Sequence, residues 1–461
     1  MPSPIEEFPP ELLASVVANL SSNDLCSLMR VSKAHHVVLQ PFLWSNIEMH
    51  YRNFHSRICH DALHADEVAK RKEPPYDNGP EDSGKRYGSS LSAERVQKFL
   101  QIFSPNGFPK DSKLELGSLV KSLCLPVHDE ETKFREWTCF ENFSNLGYLE
   151  ISAFWTPYLD PMQFSAPECS LTKLRVLKLR GYIPKEFVQW LLREPAGLEE
   201  LQLGVLDRPI GGNCEGPDGW ENPPPPENKH PYDMDQLSER ERAYWESTEN
   251  LDHMYVGARA LACLTPDIMR RFENLKTLYL CRPSSGEETI SEVYFSEPSD
   301  RRILEEWNAL LTSTRGTLES VILDQRPSAE ENEPDGTGNN EFMRQCANGP
   351  SYKRFVEMVL PTLIESKEWP KLKTVRLFGF ERHDEGSDNY TRTPNYPNDS
   401  VDVPGQLKAA FPGVDISDHI GRRFLTWNTS GELMSAGDVL ETPNAFDDGS
   451  DEEVEKNDHR F

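Results

Sequence analysis

Apolar residues in the first fifty positions of the chain recur at helical spacing. The first run has the period of an amphipathic helix and consists of Leu12, Leu13, Val16, Val17 and Leu20. A second run contains Leu25, Leu28, Met29 and Val31, and a third helical stretch continues through Val38 and Leu39. Residues 21–23 offer N-caps for the second helix, and Pro41 is predicted to end the helical stretch. Three such helices leave apolar surface uncovered, because a domain of about fifty residues hides only about 60% of its unfolded surface. A partner surface is therefore predicted.

Farther along the chain, one short phrase of alternating apolar residues is repeated. The phrase is aliphatic-x-x-aliphatic-x-aliphatic, and its copies start at Val120, Leu146, Leu174, Leu198, Leu275, Leu318 and Leu372. Alternate residues of each copy lie on one face of a short strand. The first four copies are 26, 28 and 24 residues apart, within the window of about 20 to 29 residues for leucine-rich repeats. Each copy therefore predicts one buried strand.

Helical patterns lie between these strands. Apolar residues at helical spacing occur at residues 92–103, 187–192, 303–311 and 355–364. Alternating helices and strands predict parallel strands joined by helical crossovers. The long gap between the fourth and fifth copies predicts an insertion at about 204–270, rich in Gly and Pro, with a helix at about 237–253. Residues 407–413 could cap the open end of the array.

The segment from Phe8 to Ile47 resembles an F-box. The family pattern runs Leu-Pro-x-Glu-aliphatic-aliphatic, then spaced aliphatics, Asp-Leu, Val-Ser-Lys and finally Leu-Trp. The chain matches it with Phe8-Pro9, Glu11-Leu12-Leu13, Val16, Val17, Leu20, Asp24-Leu25, Leu28, Val31-Ser32-Lys33 and Leu43-Trp44. It departs at Phe8, where leucine is usual, and at His35 and His36, where an aromatic residue and an arginine are common.

An F-box implies a helical domain, here residues 1–50, that docks on a Skp-family adaptor of a cullin ubiquitin ligase. The residues expected to bind the adaptor are Pro9, Leu12, Leu13, Val16, Leu20, Leu25, Leu28, Val31, Leu43 and Trp44. The alternative reading is an amphipathic helical hairpin without this partner. Residues 51–113 are then a linker and lead-in helix, with residues 70–90 expected to be disordered.

The repeated phrase resembles the strands of leucine-rich repeats, which often follow an F-box, although the usual asparagine after each strand is missing. The resemblance implies an irregular solenoid over residues 114–420, so the expected fold class is α+β to α/β. Strand positions expected to point outward are Tyr148, Glu150, Lys178, Arg180, Glu200, Gln202, Tyr279, Ile322, Asp324, Arg376 and Phe378. Among them Tyr148, Lys178, Arg180, Tyr279, Arg376 and Phe378 are the candidates for binding a target protein. Alternatively, an inserted loop covers some of these positions.

Charge and cysteine content exclude several classes of function. The chain of 461 residues has 49 Lys and Arg against 76 Asp and Glu, a net charge of -27, which argues against general binding of nucleic-acid backbones. No apolar run approaches the roughly 18 residues of a membrane span. Nine cysteines without CxxC spacing indicate reduced thiols, and the protein is expected in the cytoplasm or nucleus. Residues 438–461 form an acidic tail that is expected to be disordered.

Motifs that carry chemistry are missing from the sequence. There is no GxSxG elbow, P-loop, GxGxxG turn or HExxH. Cys59, His60 and His64 are the best candidates for metal ligands, but a solvated helix face explains them better. The sequence therefore predicts a non-catalytic substrate-recognition adaptor of a ubiquitin ligase, without cofactor or metal. The rival hypotheses are a scaffold that delivers no target for degradation, and a hydrolase with scattered catalytic groups.

Overall fold

A computed structural model of the chain describes a helical unit followed by one large sheet. The described residues are 9–49, 89–104, 107–127, 137–153, 164, 166–210, 257–260, 263–281, 297–324, 350–365, 368–378, 380, 401–419, 426–427 and 433–434. Predictions for residues 70–88 of the linker, the helix at 237–253, the acidic tail at 438–461 and the group Cys59, His60 and His64 fall outside these residues. Residues 89 and 90, which the sequence assigned to the disordered linker, are helical instead.

Helices and strands alternate through most of the described chain. The helices are α1 (Pro10–Ala18), α2 (Ser22–Met29), α3 (Lys33–Ser45), α4 (Ser89–Phe103), α5 (Lys110–Leu119), α6 (Lys185–Leu191), α7 (Pro266–Met269), α8 (Glu297–Thr314), α9 (Pro350–Met358), α10 (Leu360–Ile364) and α11 (Val403–Ala410). Short 3-10 helices lie at Trp137–Asn142 and Pro195–Gly197.

The strands are shorter than most of the helices. They are β1 (Asn46–Glu48), β2 (Ser122–Val127), β3 (Tyr148–Ala153), β4 (Val176–Tyr182), β5 (Glu200–Ile210), β6 (Gly257–Ala260), β7 (Thr277–Cys281), β8 (Ser320–Asp324), β9 (Thr374–Phe378), β10 (Asp415–His419), β11 (Thr426–Trp427) and β12 (Leu433–Met434). The last two form a separate antiparallel pair.

Polar caps separate the first three helices from one another. Ser21 and Asp24 form a capping box at the start of α2: the Asp24 N–H donates to Ser21 Oγ at 3.1 Å, and the Ser21 N–H donates to the Asp24 carboxylate at 3.0 Å. Ser32 caps α3 by accepting from the His35 N–H. The three helices then enclose a small core of Leu13, Val17, Leu25 and Leu39. We call α1 to α3 the helical unit.

Helix α3 continues through Pro41, where the sequence predicted an end. A proline inside a helix costs about 3 kcal/mol, because it removes a hydrogen bond and crowds the preceding turn. Here the residues after it gain contacts that offset this cost. Phe42 and Leu43 pack on the core of the helical unit, and Trp44 packs on the core of the sheet.

The large sheet is built from parallel strands in chain order. Its order is β1-β2-β3-β4-β5-β7-β8-β9-β10, and β6 pairs antiparallel with the end of β5. Each of the seven repeated phrases forms a strand, beginning two residues after the start of the phrase, so this prediction is confirmed. Strands β1 and β10 lie at the two edges of this parallel order and were not predicted.

One face of the sheet is apolar and carries the helices. Neighbouring strands place residues of the same kind opposite one another, in the row Leu123, Leu149, Leu177, Leu201, Leu278, Val321 and Val375. Residues from α4, α6, α8, α9 and α11 belong to the same buried cluster, including Phe99, Phe187, Leu304, Phe355 and Leu407. The predicted helices before the fourth, sixth and seventh strands, and the lead-in helix, therefore cover this face.

The predicted insertion at 204–270 is shorter at both ends than the sequence indicated. Strand β5 runs on to Ile210 and pairs with β6, and Cys263, Ile268 and Met269 are buried in the main core. These residues gain backbone hydrogen bonds and apolar contacts that a local reading of composition does not reveal. Within the described residues, no helix is both long enough and apolar enough to cross a membrane.

Candidate functional site

Helix α1 has an apolar face that is wider than its core contact requires. Leu13 and Val17 point into the core of the helical unit, whereas Leu12 and Val16 are about half exposed. Successive residues of an α-helix are turned by about 100°, and residues four apart share a face. Leu12 and Val16 therefore form a second apolar strip beside the buried one. Such a strip is a candidate surface for contact with a partner.

Two further apolar residues are exposed elsewhere on the helical unit. Val31 precedes α3 and is 67% exposed, and Val37 in α3 is 68% exposed. Val37 was not among the predicted adaptor-binding residues. The sequence signal that could have found it is the pair Val37-Val38, because consecutive residues of a helix are turned by about 100° and Val38 is the one of this pair that packs on the core. We call Leu12, Val16, Val31 and Val37 the exposed apolar residues.

The other residues predicted to bind an adaptor lie in different surroundings. Pro9 is exposed, and Leu20, Leu28 and Leu43 are partly buried against the core of the helical unit. Leu13 and Leu25 are buried in that core, so they stabilise the unit and cannot also lie on its surface; their assignment as surface contacts is corrected. Trp44 is half-buried and packs on the core of the sheet.

The second face of the sheet carries a buried polar cluster. The hydroxyl of Tyr148 donates to Glu150 Oε2 at 2.7 Å, and the Gln202 amide donates to Glu200 Oε1 at 2.6 Å. Lys178 Nζ lies 3.4 Å from Glu200 Oε1 and 5.3 Å from the centroid of the Tyr148 ring. These side chains are almost fully buried. Strand register brings them together, because Glu150, Lys178 and Gln202 are opposite one another on β3, β4 and β5.

A second cluster lies on the same face, farther along the sheet. Tyr279 donates its hydroxyl to Asp324 Oδ2 at 3.3 Å, and the Cys281 thiol lies 3.6 Å from the same oxygen. Ile322 packs beside Tyr279 and Cys281, and all of these residues are buried. Such a satisfied polar network adds specificity to a core.

The predicted target-binding residues therefore fall into three groups. Tyr148, Lys178 and Tyr279 were expected to point outward, but they are buried, which corrects their assignment to an accessible surface. Glu150, Glu200, Gln202, Ile322 and Asp324 are buried with them. Arg376 on β9 is half-buried. Arg180 and Phe378 lie on described strands, but their side chains fall outside the described part.

Accessible polar side chains on this face occur on β8, β9 and β10, at one edge of the large sheet. Ser320, Thr374 and Arg376 are partly exposed, as is Ser417, and Asp415 is exposed. The Thr374 hydroxyl donates to Ser320 Oγ at 2.8 Å, so these two side chains hold each other in place. The register places Arg376 opposite Ser417 on β10 and opposite Ile322 on β8. Among the described residues, this end of the sheet is therefore one part of the polar face that a partner can reach; Asn46 and Glu48 on β1, at the other edge, are also partly exposed.

In the described part of the chain, two cysteine thiols have shifted pKa values. Among the described residues, no group of three or more His, Cys, Asp or Glu side chains is arranged to hold a metal ion. Burial, reinforced by Glu306, raises the pKa of the Cys263 thiol well above its ordinary value. Partial burial, reinforced by Glu141, also raises the pKa of Cys169. Both shifts lower the fraction of reactive thiolate at neutral pH.

Comparison with known families bears on the first part of the chain. A family model described as F-box-like matches residues 5–50, which include the helical unit and β1. No curated protein matches the chain. The match covers the segment that carries the exposed apolar residues.

Proposed function

We propose that this protein is a substrate-recognition adaptor of a Skp/cullin/F-box ubiquitin ligase. Its helical unit would bind a Skp-family adaptor, and its sheet region would hold a target protein. The chain itself would be non-catalytic, because a ligase of this kind needs the receptor only to raise the effective concentration of the target near the transferring enzyme. The protein would act in the cytoplasm or nucleus.

One observation carries the adaptor-binding part of the proposal. The segment with the F-box-like match exposes Leu12, Val16, Val31 and Val37, although a core of four buried residues already closes the helical unit. Leaving large aliphatic side chains in water costs about 25 cal/mol per Å² of apolar surface relative to burial. A partner that covers them gains this free energy, which favours a docking role for the unit.

The sheet region is proposed to be a degenerate leucine-rich-repeat array. Its support is a backbone pattern that recurs at the start of strand after strand. The carbonyl just before one strand accepts two N–H groups: one from the residue just before the next strand and one from the first residue of that strand, as at Lys121, Gly147, Arg175, Glu199, Lys276 and Glu319. Repeating units stacked in chain order produce such a pattern. The array would then offer the extended surface that repeat proteins use for binding.

Target binding is proposed at the accessible end of the polar face. Arg376, with Ser320, Thr374 and Ser417 around it, lies within β8, β9 and β10, where the face is partly exposed. Arginine is enriched at interface positions that contribute most to binding, because its guanidinium group donates several hydrogen bonds in a fixed geometry. The buried clusters at Lys178 and Tyr279 would support this surface without touching the target.

The test separates the delivery of targets from mere binding. Full-length protein with Val16→Asp would be compared with the wild type and with Ala14→Asp, which places the same charge on the opposite side of α1. Proteins that co-purify with each form would be identified, and their half-lives measured after translation is blocked. Deleting residues 1–50 is unsuitable, because it would also remove β1 from the sheet.

The proposal predicts that Val16→Asp loses the Skp-family adaptor, keeps the target and lengthens the target's half-life, while Ala14→Asp behaves as wild type. A scaffold would leave the target's lifetime unchanged in every form. An enzyme would keep modifying its substrate without the adaptor. Retention of the adaptor by Val16→Asp, with the adaptor also bound by the control, would contradict the F-box role of the helical unit.

A further inference from the structure

Helix α3 belongs to two hydrophobic cores at once. Leu39, in its middle, is part of the core of the helical unit, while Trp44, near its end, packs on the core of the sheet. The Trp44 ring stacks on Phe99 with 6.1 Å between centroids and meets Phe103 edge-on at 6.2 Å. Both phenylalanines lie on α4. One continuous helix therefore spans from the exposed Val37 to the interior of the sheet region.

The aromatic contacts continue inward from Trp44. Phe99 and Phe103 touch each other, with 5.3 Å between centroids, and each packs on Phe143 at 6.0 and 4.8 Å. Phe143 follows the 3-10 helix at Trp137–Asn142 and is fully buried. Aromatic pairs in these geometries add roughly 0.5–1.5 kcal/mol to the burial of their area. Trp44 thus links this cluster to the helical unit.

The backbone after Trp44 enters the sheet directly. The Lys121 N–H donates to the Ser45 carbonyl at 2.9 Å, and the Met49 N–H donates to the Cys124 carbonyl at 3.0 Å. Between these bonds β1 pairs in parallel with β2, which places Ile47 opposite Leu123. Ile47 is buried in the sheet core. The last residues of the F-box-like segment are therefore the first strand of the sheet.

We propose that Trp44 and Ile47 are positioning residues that couple the helical unit to the sheet. Ile47 pairs with the outer edge of β2 as part of β1, and Trp44 packs on α4. Together they would hold the exposed apolar residues in a set orientation relative to the sheet. The inference rests on the proposed function in one respect: the partner that binds the helical unit is taken to be a Skp-family adaptor. If the coupling holds, a protein that binds the helical unit also stabilises β2 and α4, because a ligand raises the free energy of every opening in which its site is lost.

Hydrogen exchange measured by mass spectrometry tests the coupling in the full-length chain. Without any partner, Trp44→Ala is expected to speed exchange in β2 and α4 at least about tenfold, since these elements lose their cover. Exchange in α2 and β9 should stay near the wild-type rate, because α2 has its own core and β9 is far along the sheet. Trp44→Phe should restore most of the protection in β2, and Trp44→Leu removes the ring but keeps part of the apolar volume.

A second arm adds the Skp-family adaptor. In the wild type, the adaptor should slow exchange in the helical unit and in β2 and α4. In Trp44→Ala the adaptor should slow exchange in the helical unit but no longer in β2 and α4. A residue that only stabilises the fold would not separate these two responses. In Val31→Asp the adaptor should no longer slow hydrogen exchange in any element. Without the adaptor, the exchange rate of β2 in this variant should match the wild type.

Three results would overturn the inference. The first is unchanged exchange in β2 and α4 in both Trp44→Ala and Trp44→Leu. The second is an equal acceleration in β9, which would indicate loss of global stability. The third is full protection of β2 by the adaptor in Trp44→Ala. A wild-type chain that does not respond to the adaptor would count against the proposed function, and the adaptor-free comparison would still decide the role of Trp44.

Discussion

Leu12 and Leu13 are neighbours in α1, yet Leu12 is 55% exposed and Leu13 only 8%. The turn of about 100° between successive helical residues accounts for the difference, since the core of the helical unit receives Leu13 and Val17 and leaves Leu12 and Val16 outside. Two apolar strips on one helix therefore have separate tasks. One folds the unit, and the other is available to a partner.

The first prediction uses these strips as matched pairs. Val16→Asp should abolish binding of a Skp-family adaptor with little change in thermal stability, because the new carboxylate stays in water. Val17→Asp should unfold the helical unit, because an unpaired carboxylate in an apolar core is strongly disfavoured. Adaptor pull-down and the helical circular dichroism signal would be measured together. Equal loss of helix in both variants would show that the two strips are not separate.

The second prediction concerns the buried ion pair of Lys178 and Glu200, whose side chains are 0% and 1% exposed. Lys178→Met should cost about 3–5 kcal/mol of unfolding free energy, because it leaves the Glu200 carboxylate without its counter-ion. The double variant Lys178→Met, Glu200→Leu should recover part of this loss, because no uncompensated charge remains. Chemical denaturation of the wild type, both single variants and the double variant gives the comparison. A double variant as unstable as the sum of both singles would argue against a coupled pair.

The third prediction tests the apolar face of the sheet. Leu278→Ala on β7 should cost about 2–5 kcal/mol, because it opens a cavity in a fully buried row. Lys276→Ala, two residues earlier and exposed, is its control and should cost less than about 1 kcal/mol, the upper range for a surface ion pair. Denaturant midpoints provide the measurement. Similar costs for the two variants would mean that the register of β7 is different.

The fourth prediction concerns the accessible end of the polar face. Arg376→Glu should lose the target while the adaptor stays bound, because the half-buried arginine is replaced by the opposite charge. Tyr279→Ala should act differently and lower stability, since Tyr279 is buried and bonded to Asp324. Co-purification and thermal melting distinguish the two effects. If a folded Arg376→Glu protein still binds the target as well as the wild type does, the target binds at another surface.

The fifth prediction is a pH dependence at the start of β8. A hydrogen bond from Lys373 lowers the pKa of the Glu319 carboxyl below its ordinary value, with smaller help from Lys276 and Lys371. A lowered pKa in the folded state contributes stability above the ordinary pKa, and this contribution is lost as the pH falls through the folded value. Because the pair is exposed, the effect should be small.

Lys373→Met should therefore melt slightly earlier than wild type at neutral pH, and the difference should vanish in acid well below the ordinary glutamate pKa. Thermal melts across this range, repeated in high salt to screen the pair, are the measurement. A difference that persists in acid would point to lost packing of the Lys373 chain.

Local patterns in the sequence determined the helical unit and the seven central strands. Amphipathic spacing with a Ser21 cap is enough to specify helices, and the alternation of Leu177 and Leu179 is enough to specify a strand with one buried face. These features depend on residues a few positions apart, so they can be predicted from the sequence alone. The F-box-like match rests on the same local order.

Tertiary structure decided which of these residues a partner can reach. Lys178 and Glu200 lie 22 positions apart, and only the pairing of β4 with β5 makes them an ion pair that can be buried. Trp44 has the spacing of a surface motif residue, but Phe99, more than fifty residues later, supplies the ring on which it stacks. Burial is a property of residues brought together from distant positions, and periodicity along the chain carries no record of those partners.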